Sequence, residues 1–348
     1  MNRKILSSSI APSKPLQSIE IPMEASKAIK AAFMTLFPDT SLQVYGKHTT
    51  FSKPAADILR AYLPTATLNT LEKVKKGEID IIHLRNLPID DVIPAGKDIE
   101  ERLAAKTRVS ELVIIGLTEL MGCILWSNPA EHQGRPIHQV SPVAGNRGFS
   151  SLSKDPQFFH VEIPYEEVPP KFLALFCLDS DPNTRTIYIP VETLLHYIPK
   201  DLIEIMKKPD FVIKSGASYT TGAVQGNFSL IEDTGGTFRL RLMQKFDRFE
   251  GTTPETKRCL YDLYVILNSP EVVKEIKGVA LKEGELLLFN NGKNTDGNTP
   301  CGVVHGRDVV GKDGKSDLSG TLKEDRWLQR GYLMAIDNLI PTRNIAAK

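Results

Sequence analysis

Phe158-Phe159-His160-Val161-Glu162 decides the reading of this chain, together with Val303-Val304-His305 near the other end. Residues two apart on an extended strand leave from the same face, so His160 and Glu162 can reach one ion. His305 is the third donor expected. Two imidazoles and a carboxylate on one side of a metal, with open positions opposite, suit non-haem Fe(II) and oxygen chemistry. H-x-E by itself is short and common to plain core strands, so the weight comes from the rest of the chain.

The chain has 348 residues, enough for a large buried core in one mixed or mainly β domain. A 41% hydrophobic and 24% charged composition is that of an ordinary globular protein. With a formal net charge of +1 nothing favours nucleic acid or an anionic membrane as partner. No apolar run approaches the roughly 20 residues of a membrane span, and Ser7-Ser8-Ser9 and Pro12 interrupt any secretory leader. Cys123, Cys177, Cys259 and Cys301 are far apart with no C-x-x-C, which points to buried thiols in a reducing compartment. A cytoplasmic location is therefore expected.

In chain order, residues 1–78 read as a helical N-terminal part: Ala25, Ile29, Ala32, Phe33 and Leu36 have helical spacing, as do Ile58, Leu59 and Leu63. Ile79 to Arg85 reads as a strand ending at Asn86-Leu87-Pro88, with His83 a packed or edge histidine. The apolar run Leu112 to Leu125 is long enough for a buried helix. The polar segment Asn128 to Asp155 exceeds the roughly 12–15 residues usual for a structureless loop, and such loops are often functional. Gln139, Ser150 and Ser151 lie in it and are candidates to face a ligand, against the plain alternative of solvated loop positions. Strands are expected at 172–178 and 186–189, a helix from Val191 to Met206, and short strands at 211–213, 228–231 and 237–242. Thr253-Pro254 opens another helix, Leu286 to Phe289 is a strand stopped by Asn290-Asn291-Gly292, and the last strand runs over 326–334. On that strand Arg326 and Arg330 share a face, and burying both calls for an anion such as a ligand carboxylate. Many short strands plus N-terminal helices predict an α+β fold with a double-stranded β-helix (jelly-roll) core and flanking helices. No division into domains is signalled, so 1–348 is expected as one unit with its core in 79–340.

Five segments in this order resemble the iron(II)/2-oxoglutarate-dependent dioxygenases of the clavaminate synthase-like group, within the taurine dioxygenase superfamily. They are Ile82-His83-Leu84-Arg85-Asn86-Leu87-Pro88, Phe159-His160-Val161-Glu162, Glu283-Gly284-Glu285-Leu286-Leu287-Leu288-Phe289-Asn290-Asn291, His305-Gly306-Arg307 and Asp325-Arg326-Trp327-Leu328-Gln329-Arg330. The resemblance implies Fe(II) on His160, Glu162 and His305, and 2-oxoglutarate with its distal carboxylate on Arg326 and Thr186. Arg330 would take the α-carboxylate of a free amino acid, and O2 would be the other co-substrate. The planar fork of Arg, which Lys lacks, suits both carboxylates. Halogenating relatives put a small residue where Glu162 stands, so hydroxylation is implied. Two intervals are longer than the family pattern, Asn291 to His305 and the 21 residues from His305 to Arg326. Arg326 is therefore assigned from its Asp-Arg-Trp-Leu-x-Arg context, and Thr184 stands as a rival to Thr186.

Lys245 to Glu255 resembles the segment that sets an acidic residue over the substrate side chain in the arginine and asparagine oxygenases of this group. Asp247 would then meet a cationic head group, its plain alternative being a surface Asp before a helix. The overall pattern looks closest to free L-lysine hydroxylases, with L-arginine or another amino acid the alternative substrate and desaturation the alternative outcome. A non-catalytic jelly-roll protein with core histidines is the competing class, and association into a homo-oligomer is left open.

Overall fold

The computed structural model describes residues 16–38, 43–96, 98–127, 134–143, 153–214, 224–234, 237–244, 248–294, 300–311, 316–317 and 319–336. It is a mixed α/β structure built around a seven-stranded sheet. Its order is Gln17–Glu20, Ile81–Arg85, Leu286–Asn290, Phe172–Asp179, Trp327–Ala335 and Cys123–Leu125, with Ile137–Val140 also paired to Trp327–Ala335. Only the first pair is parallel. A four-stranded antiparallel sheet runs Lys277–Val279, Thr184–Pro190, Val303–Val309 and Gln157–His160.

Period-two alternation explains how the large sheet is covered on both faces. Phe172, Ala174, Phe176, Leu286 and Leu288 pack in one cluster with Ile29, Phe33, Leu59 and Val113 of the N-terminal helices. Their in-between neighbours Leu173, Leu175, Cys177, Leu287 and Phe289 join Phe159, Tyr188, Ile189, Val303 and Val304 of the smaller sheet. The helix Val109–Leu120 is buried along almost its whole length. It lies so close to His48–Tyr62 that a Cβ on Gly116 would come within 3.0 Å of the Ala55 backbone.

Three expectations change. The run from Leu112 does not stay helical to Leu125: the helix ends at Leu120, Gly122 takes φ +65°, and Cys123–Leu125 pairs as a strand. The helix expected from Val191 to Met206 is two, Val191–His196 and Lys200–Met206, divided at Pro199, whose ring disfavours helix in the residue before it. The segment 128–155, expected to be all loop, contains the strand Ile137–Val140. His83 is buried, with Nε2 3.1 Å from Glu285 Oε2 and Nδ1 3.3 Å from Ser18 Oγ. All four cysteines are buried thiols, and no helix among the described residues is long and apolar enough to cross a membrane.

Candidate metal centre

His160 ends one strand of the smaller sheet and His305 lies directly opposite it on the neighbouring strand, their rings 4.4 Å apart. The His160 Nδ1–H donates to the carbonyl of Phe158 at 2.8 Å, which leaves Nε2 as the atom with a lone pair to offer. Glu162 follows just past the end of the strand. Its peptide is gripped from both sides by Asn291, whose Oδ1 accepts from Glu162 N at 2.8 Å and whose Nδ2 donates to Glu162 O at 3.0 Å and to Pro170 O at 3.1 Å. The next residue, Ile163, stands at φ +53°, a left-handed conformation that a β-branched residue adopts only when its surroundings impose it.

One ligand atom from each of His160, Glu162 and His305 lies within 4.8 Å of the others. Glu162 Oε1 is 3.3 Å from His305 Nε2 and 3.5 Å from His160 Nε2. Burial would raise the Glu162 carboxyl, but Arg330 and the two imidazoles outweigh it and hold the group well below the usual carboxylate range. Burial, reinforced by His160, pushes His305 down to about 4. A charged carboxylate beside an imidazole kept neutral is the protonation state a divalent cation needs, so the donor set fits Fe(II).

Arg326 and Arg330 share one face of Trp327–Ala335 and its lead-in, and line a cavity with Thr186, His305, Arg307 and Glu162. Arg326 is 4% exposed, burial lowers its pKa, and its Nη1 has no hydrogen-bond partner among the described residues. Arg307 is buried beside it, pushed down to about 9 by burial and then by Arg326, and donates from Nη2 to the carbonyls of Ser153 and Asp155. Three guanidiniums, those of Arg307, Arg326 and Arg330, lining one buried cavity favour an anionic occupant. Thr186 lines this cavity, whereas the Thr184 hydroxyl donates to Asp181 Oδ2 at 2.6 Å and is committed to the turn.

Gln139 is turned away from the cavity. It pairs with Gln329 on the other face of the sheet, where its Oε1 accepts from Trp327 Nε1 at 2.8 Å and its Nε2 donates to the Tyr45 hydroxyl at 3.1 Å. Its neighbour Val140 lines the cavity instead, and on the same face as Val140 lies His138, opposite Arg330, with Nδ1 accepting from Arg330 Nη2 at 3.0 Å. Ser150, Ser151 and Asp247 lie outside the described residues. His138, Asn291, Arg307 and Tyr332 are site residues that sequence reasoning does not reach. Only Tyr332 carried a local signal, being in phase with Arg330 on one strand.

No family model and no curated protein sequence matches the chain. Among solved structures its fold is similar to that of non-haem iron oxygenases. One is asparagine oxygenase in complex with Fe(II), 2S,3S-3-hydroxyasparagine and succinate, with a TM-score of 0.70 at 20% identity over 91% of this chain and 93% of that one. Another is the non-haem iron oxygenase OrfP in complex with Fe and alpha-ketoglutaric acid, with a TM-score of 0.69 at 17% identity over 91% and 94%. OrfP in complex with Fe, succinate and (3R,4R)-dihydroxy-L-Arg matches with a TM-score of 0.70 at 16% identity over 92% and 95%. At these identities the likeness establishes the fold.

Proposed function

We propose that the protein is an iron(II)/2-oxoglutarate-dependent oxygenase that hydroxylates a free amino acid. The observation that carries this is the convergence of His160, Glu162 and His305 beside a buried Arg326 whose Nη1 has no partner among the described residues. In this reading the seven- and four-stranded sheets are the two walls of a double-stranded β-helix. Iron(II) held there with 2-oxoglutarate and O2 would supply an oxidant for an unactivated C–H bond, with succinate and CO2 released. Arg326 and Thr186 hold the distal carboxylate of 2-oxoglutarate. Arg330 takes the substrate α-carboxylate, and Val140, Leu175 and Leu328 keep water from the reacting atoms.

L-lysine is the substrate that the motif pattern supports, and Asp247 would suit the cationic head group of lysine or arginine alike. L-arginine is the second reading, favoured by the likeness in fold to OrfP, whose structures hold hydroxylated L-Arg. Succinate release measured with Fe(II), 2-oxoglutarate and each common amino acid tests both levels. Stimulation by lysine above arginine is expected. Stimulation by arginine alone overturns the lysine reading, and none by any amino acid overturns the free-amino-acid reading.

A further inference from the structure

Glu162 has two oxygens, and the protein treats them differently. Oε1 faces His305, His160 and, at 3.5 Å, Arg330 Nη1. Oε2 accepts from the Tyr332 hydroxyl at 2.8 Å. We infer that Tyr332 is a positioning residue for the metal: by holding Oε2 in its hydrogen bond it turns Oε1 toward the two imidazoles, so the carboxylate occupies one coordination position and not two. The inference rests on the metal reading above.

The phenol is held where it can do this. Tyr332 is 1% exposed on Trp327–Ala335, a strand of the seven-stranded sheet paired on both sides. The Arg330 guanidinium lies over its ring at 4.6 Å, and His138 meets it edge-on at 4.9 Å and 88°. Arg330 in turn donates to His138, so ring, guanidinium and imidazole brace one another. A buried phenol needs an acceptor, and here its O–H meets an ionised carboxylate, the stronger kind of hydrogen bond. Swinging Oε2 onto a metal as well would pull it away from that bond between two buried residues, where a weakened partner is costly. The same Arg330 is assigned to the substrate carboxylate, so the group that would anchor substrate also holds the residue that orients a metal ligand.

Tyr332→Phe removes the hydroxyl and keeps the ring. Titration with Co(II) alone, followed by visible absorption, reads affinity and coordination number without turnover. Tyr332→Phe should bind Co(II) roughly 10–100-fold more weakly, the usual cost of losing a partner of a metal ligand, with weaker bands from an added carboxylate oxygen. Affinity and bands matching wild type overturn the inference. If Tyr332→Phe does not fold, wild type decides. The infrared difference between its metal-free and Co(II) forms, labelled with 13C-glutamate, separates one-oxygen from two-oxygen coordination by the spacing of the carboxylate stretches, and the two-oxygen pattern overturns the inference. Binding abolished by His305→Ala but untouched by Tyr332→Phe sinks the role of Tyr332 alone. Wild type that takes up no Co(II) sinks the metal reading and this one with it.

Discussion

Replacing Arg326 by methionine separates the cost of a buried charge from its use. Arg326 is 4% exposed, burial depresses its pKa against a partial offset from Cys177 and Asp181, and Nη1 has no partner among the described residues. A methionine fills similar space without a charge to desolvate. Exchanging buried charges for apolar groups is often neutral or stabilising by about 1–4 kcal/mol. The ligand-free variant should therefore melt no lower than wild type, and by roughly 2 °C higher for each kcal/mol gained in a chain of this size. The effect on 2-oxoglutarate runs the other way. Truncating one partner of a buried charge-assisted pair costs about 2–5 kcal/mol, or roughly 30-fold to several-thousand-fold in Kd. Thermal melts in Mn(II) with increasing 2-oxoglutarate read both quantities. At about 100 times its Kd the co-substrate stabilises wild type by about 2.7 kcal/mol; at that concentration the variant's stabilisation should drop to about 0.9 kcal/mol if its Kd is roughly 30-fold weaker, and to nearly nothing if it is several-thousand-fold weaker. A variant that loses stability without ligand, yet still responds to 2-oxoglutarate like wild type, would refute the anion-pocket argument.

Asn291→Asp keeps the acceptor for Glu162 N but sets a carboxylate against the carbonyls of Glu162 and Pro170. It should lower stability to urea by about 2–4 kcal/mol, two lost buried hydrogen bonds, and an unchanged midpoint would deny Asn291 its clamping role. In metal-free protein His305 stays neutral down to about 4 while the unfolded chain takes up its proton near 6.5. The unfolded state thus binds more protons across that window, and stability should fall as pH drops from 6.5 to 4, by at most about 1.4 kcal/mol per unit from this group. Glu162, held low, adds its own loss only below about 4.5. Urea midpoints of His305→Gln should show a shallower fall, and a slope equal to wild type contradicts the neutral, buried imidazole. Lys106 sits fully buried between Asp90 at 3.1 Å and Glu111 at 2.5 Å. Lys106→Met should cost about 3–5 kcal/mol by leaving two carboxylates without their cation. Melting of Lys106→Met combined with Asp90→Asn and Glu111→Gln should recover most of that loss.

How much of the site was legible from sequence depends on where each residue's partner lies. Arg326, Leu328 and Arg330 line one cavity, as alternation along an extended chain predicts, even though the pairing with Phe172–Asp179 is irregular between Trp327 and Leu328. Gln139 falls on the face away from the expected one because a strand's cavity face is set by register, and a shift of one residue exchanges the faces. That register is the pairing of His138 with Arg330, and nothing in residues 128–155 encodes it. Asn290-Asn291-Gly292 was read as a turn, and Gly292 at φ +70° makes it one. Yet the side chain of Asn291 also fixes a peptide 129 residues away, which turn chemistry cannot foretell. Metal ligands stand out because an imidazole or carboxylate is costly inside a strand without a purpose. The groups that aim those ligands are an asparagine and a tyrosine, types that turns and cores use freely. Their function exists only as a hydrogen bond across the fold, so it becomes readable once the two sheets are brought face to face and not before.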